Sequence, residues 1–367
     1  MEKKINVTIV GIGLIGASLG MALLRSGKYH VMGVVRRREA IEEAIQLKAI
    51  HEGTVDMQEG VKNADIIVVA TPVGSIAPIT RQILQLKQDP VIITDVGSVK
   101  ANIIKEITPY LAAGQYFLGG HPMAGGEKQG MSAADPFLLQ NAVYCLTPTA
   151  DTPEFVLERV KEMVLVTGAH ILELEPEIHD HFVAGVSHLP HLVAAILVNT
   201  VADLEAKKPG LLNLAAGGFR DTTRIASGDP LLWRDIFLSN QDQVIQVLKS
   251  FMQQTAELLT ILENADDKGL VDKLTNAARV RQQIPQRSKG FLAPLSEIVV
   301  VVQDRPGAIH EVLTWLAQAQ INIKDIEILR VREGEGGTLR LALENDQAME
   351  NSTKILREKG FTVYQRK

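Results

Sequence analysis

The spacing of apolar residues changes character three times along the chain. In the first third, short β-branched runs at residues 5–10, 31–35, 66–70 and 91–96 alternate with helical patterns. The runs are almost continuously apolar, as strands covered on both faces must be. The stretches between them are long enough for crossover helices, so this part predicts a doubly wound parallel sheet. From about Glu175 strand-like runs disappear. Residues 178–204 read as one long, mostly apolar helix that Pro190, lacking a backbone donor, is expected to kink. Asp229-Pro230 marks a turn or helix start. Beyond it Val244, Val247, Phe251, Leu258 and Leu262 share one helical face, and Leu270, Leu274, Ala277 and Ile284 share another. Such faces call for burial against each other or against a second subunit.

Residues 286–294 read as a linker. After it the pattern predicts a strand at 298–302, a helix at 306–319, a strand at 321–331, a hairpin turn at 334–337 and a strand at 338–343. A helix at 347–359 and a strand at 361–364 complete a ferredoxin-like β-α-β-β-α-β unit. Three units are expected: a Rossmann-type α/β sheet over 1–170, an all-α unit over 171–286, and the βαββαβ unit over 296–367.

Composition narrows the class. With 46% hydrophobic and 22% charged residues in 367, the chain can bury a substantial core, which excludes disordered, fibrous and disulfide-scaffold readings. Thirty-eight basic against forty-three acidic residues give −5, so no global basic field points to nucleic acid or an anionic membrane. Cys145 is the only cysteine and cannot form an internal bridge, which fits a reducing cytoplasm. Charge before the apolar run at 5–10 resembles a signal peptide, but Gly11, Gly13 and Gly16 interrupt it. No stretch of about 18 uninterrupted apolar residues occurs, so no transmembrane span is expected.

Gly11-Ile12-Gly13-Leu14-Ile15-Gly16 follows a predicted strand and opens a predicted helix. There the glycines permit a tight turn and a close backbone approach to a pyrophosphate, and the helix start offers free N–H groups to its oxygens. Dinucleotide binding is expected. The acidic residue that commonly binds the ribose 2′-hydroxyl is missing: Val35 occupies its place, followed by Arg36 and Arg37, either of which could pair with a 2′-phosphate. From these residues NADP is at least as well supported as NAD.

Further segments then combine with the glycine loop: Asp95-Val96-Gly97-Ser98-Val99-Lys100, Gly120-His121-Pro122-Met123-Ala124-Gly125, Ser187-His188-Leu189-Pro190-His191, and Phe219 through Ala226 around Arg220-Asp221-Thr222-Thr223-Arg224. Together they resemble the prephenate dehydrogenases of tyrosine biosynthesis. Asp304-Arg305-Pro306-Gly307-Ala308-Ile309 and Ile321-Asn322-Ile323 resemble an ACT regulatory domain. The resemblance implies oxidative decarboxylation of prephenate to 4-hydroxyphenylpyruvate, a helical dimerisation domain and a homodimer. The family uses NAD; the absent acidic residue leaves NADP open.

For that reaction a base must take the hydroxyl proton as hydride departs, and neutral imidazole suits the task near neutral pH. The resemblance assigns His121 this role and places it on a tight connection after a strand. By the same resemblance Ser98, placed on the first turn of the next helix, is expected to hydrogen-bond that hydroxyl, or else simply to cap the helix. Arg224 is expected to hold a carboxylate of the dianionic substrate, or else to pair with Asp221. His191 is expected to donate to the substrate. His188 and His191 can share a face with His181, yet no acid completes a ligand set, so no metal is expected. Glu127 is expected to orient the His121 loop, and Trp233 to pack at the pocket wall or a dimer seam. Asp304, Arg305, Gly307, Ala308, Asn322 and Ile323 are expected to bind a small amino acid, by end-product logic L-tyrosine. Two alternatives remain: arogenate dehydrogenase, and a non-catalytic sensor of nicotinamide and amino-acid level.

Overall fold

The computed structural model describes residues 4–125, 130–283, 296–303, 305–329 and 337–366. The chain divides into two compact units, Met1–Gln283 and Ile284–Lys367. The expected linker, the hairpin turn up to its last residue Gly337, Ile284, Glu127 and Asp304 lie outside the described residues.

The first unit holds an eight-stranded sheet among its described residues, ordered β3-β2-β1-β4-β5-β6-β7-β8. Its members are β1 (Ile5–Val10), β2 (Tyr29–Val34), β3 (Glu52–Thr54), β4 (Ile66–Val69), β5 (Val91–Asp95), β6 (Gln115–Pro122), β7 (Val143–Thr147) and β8 (His170–Glu173). Val7, Ile9 and all of β4 are fully buried, and an apolar core covers each face of the sheet, which is why the central strands read as unbroken apolar runs. β1 to β6 pair in parallel.

The sheet is not parallel throughout, and the departure matters for function. The first half of β6 runs parallel to β5, but Gly119–Pro122 pair antiparallel with Tyr144–Thr147 of β7. His121 therefore sits on the strand itself, opposite Cys145, rather than on the connection after it. The two glycines before it make this extension possible: a Cβ on Gly120 would stand 2.6 Å from the Asp95 carbonyl oxygen.

Helical structure follows from Pro176. The segment expected as one helix is a helix at Pro176–Val183, a π turn at Ala184–His188 and a helix at Leu189–Lys207. The Leu189 N–H donates to the Ala184 carbonyl five residues back, so the chain widens by one residue and Pro190 falls at the start of the next helix, where its missing donor costs nothing. His179, Asp180, His188 and His191 are buried, while His181 is exposed and bonds Gln243 at 3.0 Å, so the histidines do not share the face expected for them. By length and composition Pro176–Lys207 is apolar enough to cross a bilayer. Only about a quarter of its most apolar stretch is buried (28%), and its buried polar residues His179 and Asp180 bond His121 and the start of the helix Ala101–Ile107. Helices at Pro230–Ser239, Gln241–Glu263 and Asp267–Gln283 follow, with Leu238, Leu262 and Leu274 exposed.

The second unit holds β9 (Ser296–Val301), β10 (Ile323–Leu329), β11 (Thr338–Leu343) and β12 (Thr362–Arg366) in the order β10-β11-β9-β12, all antiparallel. Helices Ala308–Gln318 and Asp346–Glu358 cover one face, giving the expected βαββαβ order and a separate core. On the other face Arg340 is 2% exposed and held by Glu297 (2.9 Å), Glu327 (2.8 Å) and Asp325 (3.3 Å).

Candidate active site

The glycine loop joins β1 to the helix Leu14–Ser26. Gly11 has φ +98°, and a Cβ there would lie 2.6 Å from the Ala70 carbonyl oxygen, so the loop can hug the end of β4 only with glycine. Gly13 precedes the helix and a Cβ on it would meet open space. Leu14, Ile15 and Gly16 form the first turn. In front lies a cleft of about 1080 Å³ lined by Gly11, Ile12, Gly13, Val35, Arg36 and Arg37, among others. Thr71 also lines it, with a buried Oγ1 that has no hydrogen-bond partner among the described residues. An open cradle at a helix start and an unpaired hydroxyl both fit a dinucleotide's pyrophosphate and ribose. Glu43 and Asp56 line the same cleft, so carboxylates are present although position 35 carries none.

β1, β4, β5 and the parallel half of β6 all end at the same edge, where ligands of open α/β sheets bind. There the end of β6 is clamped. Asp95, fully buried, accepts from the Gly97 amide at 2.8 Å and the Gly120 amide at 3.1 Å. Lys100, also fully buried, pairs with Asp95 and donates from Nζ to the Gly120 carbonyl at 2.8 Å. Burial lowers the Lys100 pKa, against the pull of Asp95.

His121 follows at once. Its Nδ1 lies 2.8 Å from Nε2 of His179, whose own Nδ1 lies 2.8 Å from Asp180 Oδ1. Asp180 also caps the helix Ala101–Ile107, accepting from the amides of Lys100 (2.8 Å) and Ala101 (2.9 Å). Desolvation, reinforced by the neighbouring His179, Lys100 and His188, holds the His121 pKa well below its ordinary value. Cys145, across from His121, is buried and its thiol is pushed up to about 11, so it stays protonated and unreactive. Ser98 lies in the loop before the helix, three residues ahead of its start rather than on its first turn, because Asp180 supplies the cap from elsewhere.

His191 stacks on Trp233 with ring centroids 3.7 Å apart, and its buried Nδ1 has no partner among the described residues. His188, which burial drives to about 4, sits edge-on to Trp233 and 3.3 Å from the Asn240 amide nitrogen. Gly228 closes against the stacked pair: a Cβ on it would meet Trp233 Nε1 at 2.6 Å. It follows the short helical turn Arg224–Ser227, whose first residue is exposed and which packs against the helix Leu189–Lys207.

His179 and Asp180 are the residues that the sequence reading missed. Their signal was available: a His-Asp pair stands at inward-facing positions of a helix whose other inward residues, Val183 and Ala184, are apolar. In the second unit Gly307 has φ +88° and precedes the helix that Ala308 opens, while Arg305 is held by Glu311 at 2.8 and 2.9 Å. Asn322 is exposed and Ile323 begins β10.

Three family profiles match in tandem: the nucleotide-binding domain of prephenate dehydrogenase over residues 19–173, its dimerization domain over 175–276, and the ACT domain over 296–358. The first begins beyond the glycine loop, which stands on its own geometry. Prephenate dehydrogenase of Bacillus subtilis (strain 168) is 35% identical over 348 residues, covering 94% of each chain. Among solved structures, prephenate dehydrogenase from A. aeolicus in complex with hydroxyphenyl propionate and NAD+ is 33% identical with a TM-score of 0.72, covering 77% of this chain and 99% of that one. Synechocystis arogenate dehydrogenase is 32% identical with a TM-score of 0.68, covering 77% of this chain and 100% of the other. With a double-sided Rossmann sheet, a helical region and an ACT fold in this order, the chain belongs to the prephenate dehydrogenase family.

Proposed function

We propose that the chain oxidises prephenate to 4-hydroxyphenylpyruvate with loss of carbon dioxide, using NAD, in the cytoplasm and as a homodimer restrained by L-tyrosine. The observation that carries this reading is His121 at the carboxyl edge of the sheet, with Nδ1 already engaged by His179 and Nε2 bonding nothing among the described residues. A histidine held in this way is suited to receive a substrate hydroxyl proton.

When bound, the nicotinamide supplies the hydride acceptor. Gly11 to Gly16 would hold the pyrophosphate, and Glu43 and Asp56 in the same cleft favour ribose hydroxyls; Arg36 and Arg37 are the features that favour a 2′-phosphate. His121 takes the hydroxyl proton, and Ser98 hydrogen-bonds the same oxygen. His191 offers its unpaired Nδ1. Arg224 holds one carboxylate; the carboxylate that departs must be held less well in the ground state, or its loss is opposed. Leu214, Leu231, Leu238 and Leu262, all more than half exposed, support a second copy against the helical region.

Replacing Arg224 by alanine is expected to raise KM for prephenate about 10- to 100-fold, the worth of a charged hydrogen-bonded contact, with kcat less affected. Unchanged KM in steady-state assays would give Arg224 a structural role instead. Tyrosine is assigned to the turn that Gly307 closes, where helix amides can meet a carboxylate. Removing residues 296–367 is therefore expected to abolish tyrosine inhibition, and inhibition that persists would place the effector in the catalytic site.

The deciding experiment is a steady-state assay with prephenate and arogenate, each with NAD and NADP. Faster turnover of arogenate, the substrate named for the Synechocystis relative, overturns the choice of substrate. Dinucleotide binding without turnover of either acid supports the sensor.

A further inference from the structure

The pair His121–His179 poses a question that the proposed reaction leaves open. A base must carry the proton it takes, yet His121 is badly placed to hold positive charge: Lys100 lies on one side, two further imidazoles approach it, and burial pushes its pKa down. The groups acting on it or on its immediate neighbours are Asp95 at the end of β5, which bonds the Gly120 amide, Lys100 before the helix Ala101–Ile107, Cys145 opposite it on β7, His179 with Asp180 behind it, and His188 from the π turn. Two carboxylates and one ammonium make this buried cluster one negative charge in excess. The excess is located at Asp180, since Asp95 is already paired with Lys100.

The bonding order settles which nitrogens carry hydrogen. Asp180 accepts from two backbone amides, so towards His179 it is again an acceptor, and His179 Nδ1 carries a proton. Neutral His179 then presents a lone pair at Nε2, and His121 must donate to it from Nδ1. His121 Nε2 is left as a lone pair, the form a base requires.

Resting on the reading of His121 as the base, we propose that His179 is a positioning residue and the charge-bearing end of a two-imidazole relay. As hydride leaves the substrate carbon, the hydroxyl O–H bond breaks and a bond to His121 Nε2 forms. In the same event the His121 Nδ1–H bond breaks and a bond to His179 Nε2 forms. His121 stays neutral, and the imidazolium resides on His179 beside Asp180. Loss of carbon dioxide leaves its electron pair in the ring and generates a phenolate oxygen. That oxygen recovers a proton from His121 Nε2, and the second proton returns from His179 to His121 Nδ1. No net proton is released.

The test is His179→Gln in the full-length protein, measured by kcat and KM across pH with the wild type alongside. Glutamine can still accept from His121 Nδ1 but cannot hold a proton, so it separates orientation from charge storage. Expected is a fall in kcat of about tenfold or more with KM for substrate little changed. The acid limb of the kcat profile is expected to move to lower pH, because the remaining base is the one whose pKa is depressed. Wild-type kcat with an unmoved acid limb overturns the relay. Nitrogen NMR of histidine-labelled wild type provides a readout that needs neither a folded variant nor turnover. Neutral His121 protonated at Nδ1 is expected, and the Nε2–H form overturns the proposal. If the wild type turns over neither acid, the proposed function fails while the tautomer assignment still stands or falls on that spectrum.

Discussion

Replacing His121 by asparagine is expected to lower kcat by about 10²- to 10⁴-fold, the usual worth of a positioned general base, while affinity for the dinucleotide stays near that of the wild type. The two effects separate because the residues concerned are different. The cleft that would take the dinucleotide is lined by the glycine loop, the end of β2 and the segment after β4, and His121 is not among its walls. Asparagine can keep a hydrogen bond towards His179 and fits the extended strand, so β6 has no reason to shift. What it lacks is a nitrogen that can accept a proton. Rapid-mixing measurement of kcat together with a fluorescence titration of the reduced cofactor checks both halves, and an undiminished kcat removes His121 from the chemistry.

The second large effect concerns stability. Asp95→Ala is expected to cost about 3–5 kcal/mol, read as a lowered midpoint in urea unfolding of the full chain, because it leaves the ammonium of Lys100 buried without its counter-charge. Both side chains are fully buried, so water cannot take over the lost bonds. The damage also reaches function, since the same carboxylate bonds the Gly120 amide and Lys100 bonds the Gly120 carbonyl. Asp95→Ala combined with Lys100→Met is expected to recover part of the loss, as the stranded charge is then gone. A single variant as stable as the wild type would show that Lys100 sits neutral in the fold.

Much of the architecture was legible for a simple reason. Strands buried on both faces leave continuous apolar runs, and β1 falls at the expected residues while β2, β4 and β5 differ by a residue or two at their ends. The hairpin strand Thr338–Leu343 was equally plain. β3 escaped because three residues carry no periodicity, and β8 because its four residues are only partly buried. β7 did carry a signal in Val143-Tyr144-Cys145-Leu146, but its antiparallel pairing breaks the βαβ rhythm. The π turn was invisible, since one inserted residue leaves hydrophobic spacing almost unchanged over so short a span.

The site divides along the same line. Glycines and motif histidines announce themselves locally, whereas the His121–His179 contact joins residues 58 apart, and the bond from Asp180 to the Lys100 amide joins residues 80 apart. Separations of that kind are decided by how the helical region docks on the sheet, and no local pattern encodes docking. For the same reason Ser98 was placed on a helix whose true cap comes from another part of the chain.

Asp180 thereby makes the start of one helix depend on a residue about 80 positions downstream. The helix Ala101–Ile107 begins with amides that only a residue far downstream satisfies, so a nascent chain that has emerged no further than β8 carries that helix start bare and His121 without its neighbour. Under the proposed mechanism, the glycine-loop cradle draws on the first third of the chain alone, whereas the pair that would handle the proton needs the later helix as well.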